Sequence, residues 1–367
     1  MAERRLHSLT GLRWFAAFGV LCFHYDSLVP DGAVSTALKL GYEGVPFFFV
    51  LSGFVLAWTY RAGDGPLRFY WHRFARIWPL LIACSVIIIV TTFAWTRAVP
   101  SIADVVFSVT LLQAWSTTHF YAINVTAWTL SCEAFFYLLF PLLVRLLWRR
   151  SAITLVLVAV GMDLVTLGTR LWIAHHTYTE GVSRLVVASP LALAPMFVVG
   201  MCTAILIRRG HRPPLGARAS LSLVLVAAAA CWWWSRHPAP FFGAVPAYGL
   251  FDAVLIPFFA LAIAAVGLRD SLGERSVLAR RGLVLLGEIS FACYLIHAFL
   301  LDVFRHYGWF DGAFGPATVP ALAGALLVTV AASWMLHAGV ERPAERFLRG
   351  LFRASKPTPE LEPSRAG

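Results

Sequence analysis

Residues Leu9–Tyr25 read LTGLRWFAAFGVLCFHY, an apolar stretch of helical length that carries a guanidinium at Arg13 and an imidazole at His24. A charge and a titratable ring are costly inside a bilayer, so their presence in a spanning segment calls for a function. Eleven positions turn an α-helix through about 1100 degrees, about 20 degrees past three full turns, so both side chains leave nearly the same face. The rise between them is about 16 Å, which makes the pair a polar track across much of the hydrocarbon core.

The rest of the chain supports a membrane reading of that stretch. Hydrophobic residues make up 59% of the 367 and charged residues only 13%, with a mean hydropathy of +0.73; soluble domains carry about 25% charged residues. Apolar runs long enough to span predict ten transmembrane helices, over residues 8–28, 43–60, 78–96, 125–147, 152–173, 187–207, 219–236, 247–267, 286–305 and 318–340. The expected fold is therefore an all-α integral-membrane bundle. If the N-terminus is cytoplasmic, 23 of the 30 Lys and Arg residues fall in inside segments, as the positive-inside rule requires. Both termini are expected in the cytoplasm. The net charge of +11 follows from this asymmetry and needs no nucleic-acid partner; it also favours an anionic cytosolic ligand.

Short loops join most spans. The exception is residues 97–124, whose run VVFSVTLLQAW predicts an interfacial or re-entrant helix. Residues 1–350 form one membrane domain, and 351–367, which include SKPTPELEPSRAG, are expected to be a disordered polar tail. Arg13 interrupts the first apolar region and no small-residue cleavage site follows it, which predicts an uncleaved first span. The six cysteines lie singly within predicted spans, so neither a disulfide framework nor a metal site is expected.

Polar residues inside spans are ranked by the cost of their positions. His24, Ser52 in FFFVLSGFVL, Glu133 in TAWTLSCEAFFYLLFP and His297 in SFACYLIHAFLL head the ranking, and Asp163 and Asp252 follow. Any one of them alone is explained by an interhelical hydrogen bond. A second cluster lies in RFYWHRFARIWPL, where Arg73 and Arg76, three residues apart, share a helical face at the cytoplasmic boundary. Their paired forks suit phosphate oxygens, although topology or lipid headgroups account for them equally. Together the clusters describe a phosphate-bearing donor that docks at the arginines and extends an arm past Arg13 to His24, a general base suited to neutral pH.

These residues resemble the acyltransferase 3 family of membrane O-acyltransferases. The resemblance rests on the R-x10-H spacing of Arg13 and His24 after LTGL, FFFVLSGF at Phe47–Phe54, R-x-x-R-I-W-P at Arg73–Pro79, and WTLSCEAFFYLLFP at Trp128–Pro141. It continues through MFVVGM at Met196–Met201, SFACYLIH at Ser290–His297 and ERPAER at Glu341–Arg346, in the family's order and over nearly the whole chain. The resemblance implies a ten-span domain in the cell membrane that moves an acyl group from cytoplasmic acyl-CoA to a hydroxyl, typically on a sugar and often across the membrane. It implies His24 as the catalytic residue, and Arg13, Arg73 and Arg76 as the acyl-CoA-handling residues. Acyl-CoA enters as co-substrate, with no bound cofactor expected. Where family members often carry Arg-Leu-Pro-Glu-Phe, this chain has Leu193, Ala194, Pro195, Met196 and Phe197, a loss of two charges that hints at a less polar acceptor. Some relatives carry an appended extracytoplasmic domain, whereas this chain ends soon after the tenth expected span.

The expected reaction is direct transfer, with His24 as base and Glu133 orienting its ring; Ser52 and His297 are possible supporting residues, and a covalent route through Ser52 or an acyl-histidine is the alternative. The acceptor is a cell-envelope polysaccharide or a glycosylated natural product, since similar single-domain proteins acylate macrolides. The rival from another class is a proton-coupled transporter or channel using the same histidine and acids.

Overall fold

The computed structural model describes residues 6–353 except 62, 64, 177, 238–249, 311–314 and 316–317. Among the described residues it is helical throughout. The long helices are α1 (His7–Tyr25), α3 (Gly44–Thr59), α4 (Pro66–Thr96), α6 (Trp128–Trp148), α7 (Ala152–Ala174), α9 (Pro190–Arg208), α10 (Ala217–Arg236), α11 (Phe251–Leu272), α12 (Arg281–His306) and α13 (Thr318–Leu336). Shorter ones are α2 (Ala33–Lys39), α5 (Ile102–Thr110), α8 (Glu180–Ala188) and α14 (Arg342–Arg353).

Nine described segments are long and apolar enough to cross a membrane, and they match nine of the ten expected spans. The remaining expected span is α1. Its 19 residues include His7, Arg13 and His24, which lower its hydropathy, and it is held inside the bundle by its neighbours instead. α4 begins twelve residues before the expected span, so Arg68, Arg73 and Arg76 lie on its first three turns. The apolar run after residue 104 does form a helix, α5, which Leu111 ends in a left-handed conformation. Of the expected tail, residues 351–353 continue α14 and 354–367 lie outside the described residues.

Backbone contact between helices builds the centre. α3 and α9 meet at Gly53 and Gly200: a Cβ on Gly53 would overlap the Phe197 carbonyl, and one on Gly200 would overlap the Val50 carbonyl. Membrane helices associate through such small-residue contacts because lipid offers no hydrophobic drive for pairing. Phe136 of α6 stacks on Phe197 at 5.2 Å between ring centroids. α9 and α11 form the interior, with 72% of their most apolar windows buried, against 11% for α7 and 22% for α10. The last two therefore present their apolar surface outward, as lipid-facing helices do. Leu193, Pro195, Met196 and Phe197 belong to the buried part of α9.

α1 is fixed at both ends and along its length. Asp270 at the end of α11 accepts from the Ser8 and Leu9 amides, at 2.7 and 3.3 Å, and so caps the first turn with a negative charge where the helix dipole favours one. Gly287 of α12 packs directly on the Thr10 backbone, and Gly41 on that of Gly19. α12 runs parallel to α1, touching Thr10 near its start and His24 through His297 near its end.

Gly200→Val is expected to destabilise the protein by at least about 1–3 kcal/mol, the usual cost of overpacking. Gly168→Ala, where a Cβ meets nothing within 4 Å, is expected to leave stability unchanged. Thermal unfolding of both variants in detergent checks the pair.

Candidate active site

Two cavities open toward opposite ends of α1. The inner one, about 180 Å³, is lined by Arg13, Ser52, Arg73, Arg76, Glu133, Tyr137, Ser290, Phe291 and Tyr294 among others. The outer one, about 810 Å³, is lined by His24, Asp26, Lys39, Tyr42, Glu43, Arg170, Asp252, Asp302 and Arg305 among others. The expected site residues are thus divided between two chambers rather than gathered in one.

The inner cavity differs from the expected arginine clamp. Arg73 and Arg76 do share a face, but Arg76 is already neutralised: its Nη1 donates to Glu341, and to Glu345 Oε2 at 3.2 Å. Glu341 also receives His337 Nδ1 at 2.9 Å. Both belong to a π-helical turn, His337–Glu341, between α13 and α14, and such an inserted residue re-aims side chains within a helix. α14 is secured to α4 by a 2.7 Å bond from Trp71 Nε1 to the Leu348 carbonyl. Arg73 is the more available guanidinium. It sits over the rings of Phe69 and Tyr137, and its buried Nε has no hydrogen-bond partner. Arg13 faces the same cavity and makes no hydrogen bond or ion pair with any described residue. The guanidiniums open to an anion are therefore Arg13 and Arg73, with Arg76 behind them.

Glu133 does not orient His24. Its Oε1 accepts from Ser52 Oγ at 3.2 Å and from the Tyr137 hydroxyl, which places it in the inner cavity. The reason is local: Tyr137 lies one helical turn further along α6, and Ser52 faces it from α3, so the carboxylate is satisfied before it can reach α1.

The neighbour of His24 is His297. Their rings meet edge to face at 4.9 Å between centroids. His297 is fully buried, and its Nδ1 lies 3.0 Å from the Cys293 carbonyl. A carbonyl can only accept, so Nδ1 carries the proton and Nε2 is left as an acceptor; Nε2 has no partner. One turn back along α12, Tyr294 lines the inner cavity and bonds to Thr129 at 2.9 Å. Tyr294, His297 and His24 thus follow one another in ring contact, at 5.9 and 4.9 Å between centroids, from one chamber to the other.

Around the outer cavity, Arg170 Nε and Nη2 both donate to Asp252 Oδ2, at 2.8 and 2.5 Å, and Nη1 donates to the Val187 carbonyl at 2.7 Å. Arg170 escaped the sequence reading, although the cost argument that singled out Arg13 applies to a guanidinium within LGTRLWIA. Glu341 and His337 had no comparable signal. They lie at the end of the last expected span, and the Arg76 partnership joins residues 265 positions apart. The substituted stretch Leu193–Phe197 lines neither cavity. It lies largely in the buried part of α9, between helices.

The described residues form a helical bundle with a buried histidine between a guanidinium-lined chamber and a polar one, and similarity to known proteins gives that arrangement its class. The chain belongs to the acyltransferase 3 family, whose sequence pattern, described as an acyltransferase domain, matches residues 6–338. It is 34% identical to Acyltransferase MdmB of Streptomyces mycarofaciens, over 94% of this chain and 92% of that one. It is 28% identical to Exopolysaccharide production protein ExoZ of Rhizobium meliloti, over 84% and 90% of the two chains. With O-acetyltransferase OatA of Staphylococcus aureus the identity is 25%, over 81% of this chain and half of that one. No solved structure matches. The protein is a multi-pass membrane O-acyltransferase, which settles the transporter alternative in favour of an enzyme.

Glu341→Gln removes one carboxylate from a buried pair and is expected to cost about 3–5 kcal/mol, the usual penalty for stranding such a charge. Arg76→Leu combined with Glu341→Leu is expected to recover part of that loss. Unfolding of Arg76→Leu, Glu341→Leu and the double variant, read as a double-mutant cycle, measures the coupling.

Proposed function

We propose that the chain crosses the cell membrane ten times with both termini in the cytoplasm, and that it moves a short acyl group from cytoplasmic acyl-CoA to a hydroxyl of a carbohydrate-type acceptor. The observation that carries this reading is the pair of chambers on either side of the Tyr294–His297–His24 chain. The parallel course of α1 and α12 supports it, since these would be the first and ninth of ten crossings and must run the same way.

The donor's phosphates are met by Arg13 and Arg73 at the inner chamber, where guanidinium forks match phosphate oxygens. The thioester reaches toward His24, and the acceptor enters from the outer chamber. His24 takes the hydroxyl proton as the oxygen attacks the thioester carbonyl; the carbon–sulfur bond breaks and the CoA thiolate leaves and is protonated. His297 acts as a positioning residue: with its own proton committed to the Cys293 carbonyl, it offers His24 a neutral acceptor that favours the imidazolium formed during transfer. The outer chamber's charged lining favours a polar acceptor such as a sugar. One relative is named for exopolysaccharide production, which supports a saccharide; a glycosylated natural product such as a macrolide presents the same sugar hydroxyl. Ser52 and Glu133 have nucleophile-and-base spacing, so direct transfer is tested against a covalent step there.

With purified protein, labelled acetyl-CoA and a saccharide acceptor, His24→Ala is expected to lower kcat by about 10²–10⁴, and undiminished turnover removes its role as base. Ser52→Ala is expected to retain turnover; its loss, together with label held on the wild-type protein after acid quench, favours the covalent route. Arg73→Ala is expected to raise the KM for acetyl-CoA about tenfold or more, the effect of losing one charge-assisted bond. His297→Gln is expected to lower kcat and move the pH profile without changing either KM, a combination that a purely structural role would not give.

A further inference from the structure

Glu43 is the one carboxylate lining the outer cavity that has no ion pair within 4 Å and no hydrogen bond among the described residues. Asp252 is held by Arg170, Asp26 lies 3.7 Å from Lys39 Nζ, and Asp302 lies 3.8 Å from Arg305 Nη1. Glu43 is 94% buried, being 6% exposed, and its Oε2 is enclosed without a partner. Its charged neighbours, Arg170 and Asp252, are already bonded to one another. A buried acceptor left open in this way needs a specific explanation, and here it faces a chamber large enough for a ligand.

The position of Glu43 is rigid. It ends the 3-10 turn Leu40–Glu43 that leads into α3. On either side, Gly41 packs against the Gly19 backbone and Gly44 against the Ala16 carbonyl, with no room for a Cβ at either glycine. Both contacts are with α1, the helix that carries His24, so the carboxylate is held in fixed register with the imidazole across one cavity. Preorganisation of this kind marks recognition groups, which lose specificity when they are free to move.

We propose that Glu43, backed by the Arg170–Asp252 pair, is the acceptor-recognition subsite, accepting hydrogen bonds from donors on the acceptor's sugar ring while a neighbouring hydroxyl is presented to His24. The unpartnered Oε2 is a hydrogen-bond acceptor, so the groups it meets are ring hydroxyls or a protonated ring amine. The subsite rests on the acyltransferase reading above, but its occupancy is measured without turnover.

The test is thermal unfolding of the full-length protein in detergent with two probes, methyl glucoside and methyl glucosaminide, since a ligand that binds only the native state raises its melting temperature. The wild-type protein and His24→Ala are both expected to be stabilised by at least one probe, and Glu43→Gln by neither. Stabilisation by both sugars identifies hydroxyls as the donors; stabilisation by the glucosaminide alone identifies the amine. Glu43→Gln keeps the side chain's size, and its melting temperature without sugar serves as the folding control; if that falls, the acceptor KM of Glu43→Asp is measured instead and is expected to rise about tenfold with the acetyl-CoA KM unchanged. Equal stabilisation of wild type and Glu43→Gln, an unchanged acceptor KM in Glu43→Asp, or no stabilisation of wild type by either sugar overturns the proposal. Turnover that survives in His24→Ala overturns the catalytic reading instead, and leaves the sugar-binding result to stand by itself.

Discussion

Much in this bundle depends on holding a charged helix against its neighbours. α1 carries Arg13 and His24 and is too polar to be held by lipid, so its neighbours must hold it by contact. They do so at the closest possible range, backbone against backbone, through Gly287 on one side and Gly41 and Gly44 on the other. Asp270 fixes its start by accepting from two otherwise orphan amides. Were side chains interposed at those glycines, α1 would stand away from α12 and the His24–His297 contact would open.

The same dehydrated interior governs the charges. A buried ion without a partner is unstable, and the structure answers with pairs: Arg76 with Glu341 and Glu345, and Arg170 with Asp252. Against that pattern the unmatched groups stand out. Arg13 and Arg73 face the inner chamber, while the His297 Nε2 lies between the chambers and the Glu43 carboxylate lines the outer one. In the proposed reaction these are the groups assigned to the donor's phosphates, the transferred proton and the acceptor's hydroxyls.

Much of this was legible from residue patterns. Nine of the ten expected spans are matched by described helices long and apolar enough to cross a membrane, and the shared face of Arg13 and His24 follows from helical geometry. The adjacency of Arg73 and Arg76 was equally readable, because both lie on one helix. What was misread was long-range pairing. Glu133 was expected beside His24 because both are polar and within spans, yet its partners are Ser52 and a tyrosine one turn away. The uncharged stretch at Leu193–Phe197 hinted at a less polar acceptor, and the structure places most of those side chains in the buried part of α9. A guanidinium within LGTRLWIA carries the same desolvation cost as Arg13, so Arg170 too is legible in the sequence.

The sequence by itself determined that the chain is built of segments apolar enough for a membrane and which side chains are too costly to be incidental, because each of these follows from the transfer of single residues or single helices out of water. The tertiary structure alone decided which of those side chains are spent on one another and which remain open. That outcome depends on distances between helices far apart in sequence, and these are set by glycine contacts and by a π-helical turn, whose effect exists only once the helices are packed. Hence Arg76 is tied to the C-terminal helix, His297 stands beside His24, and Glu43 remains open in the outer chamber.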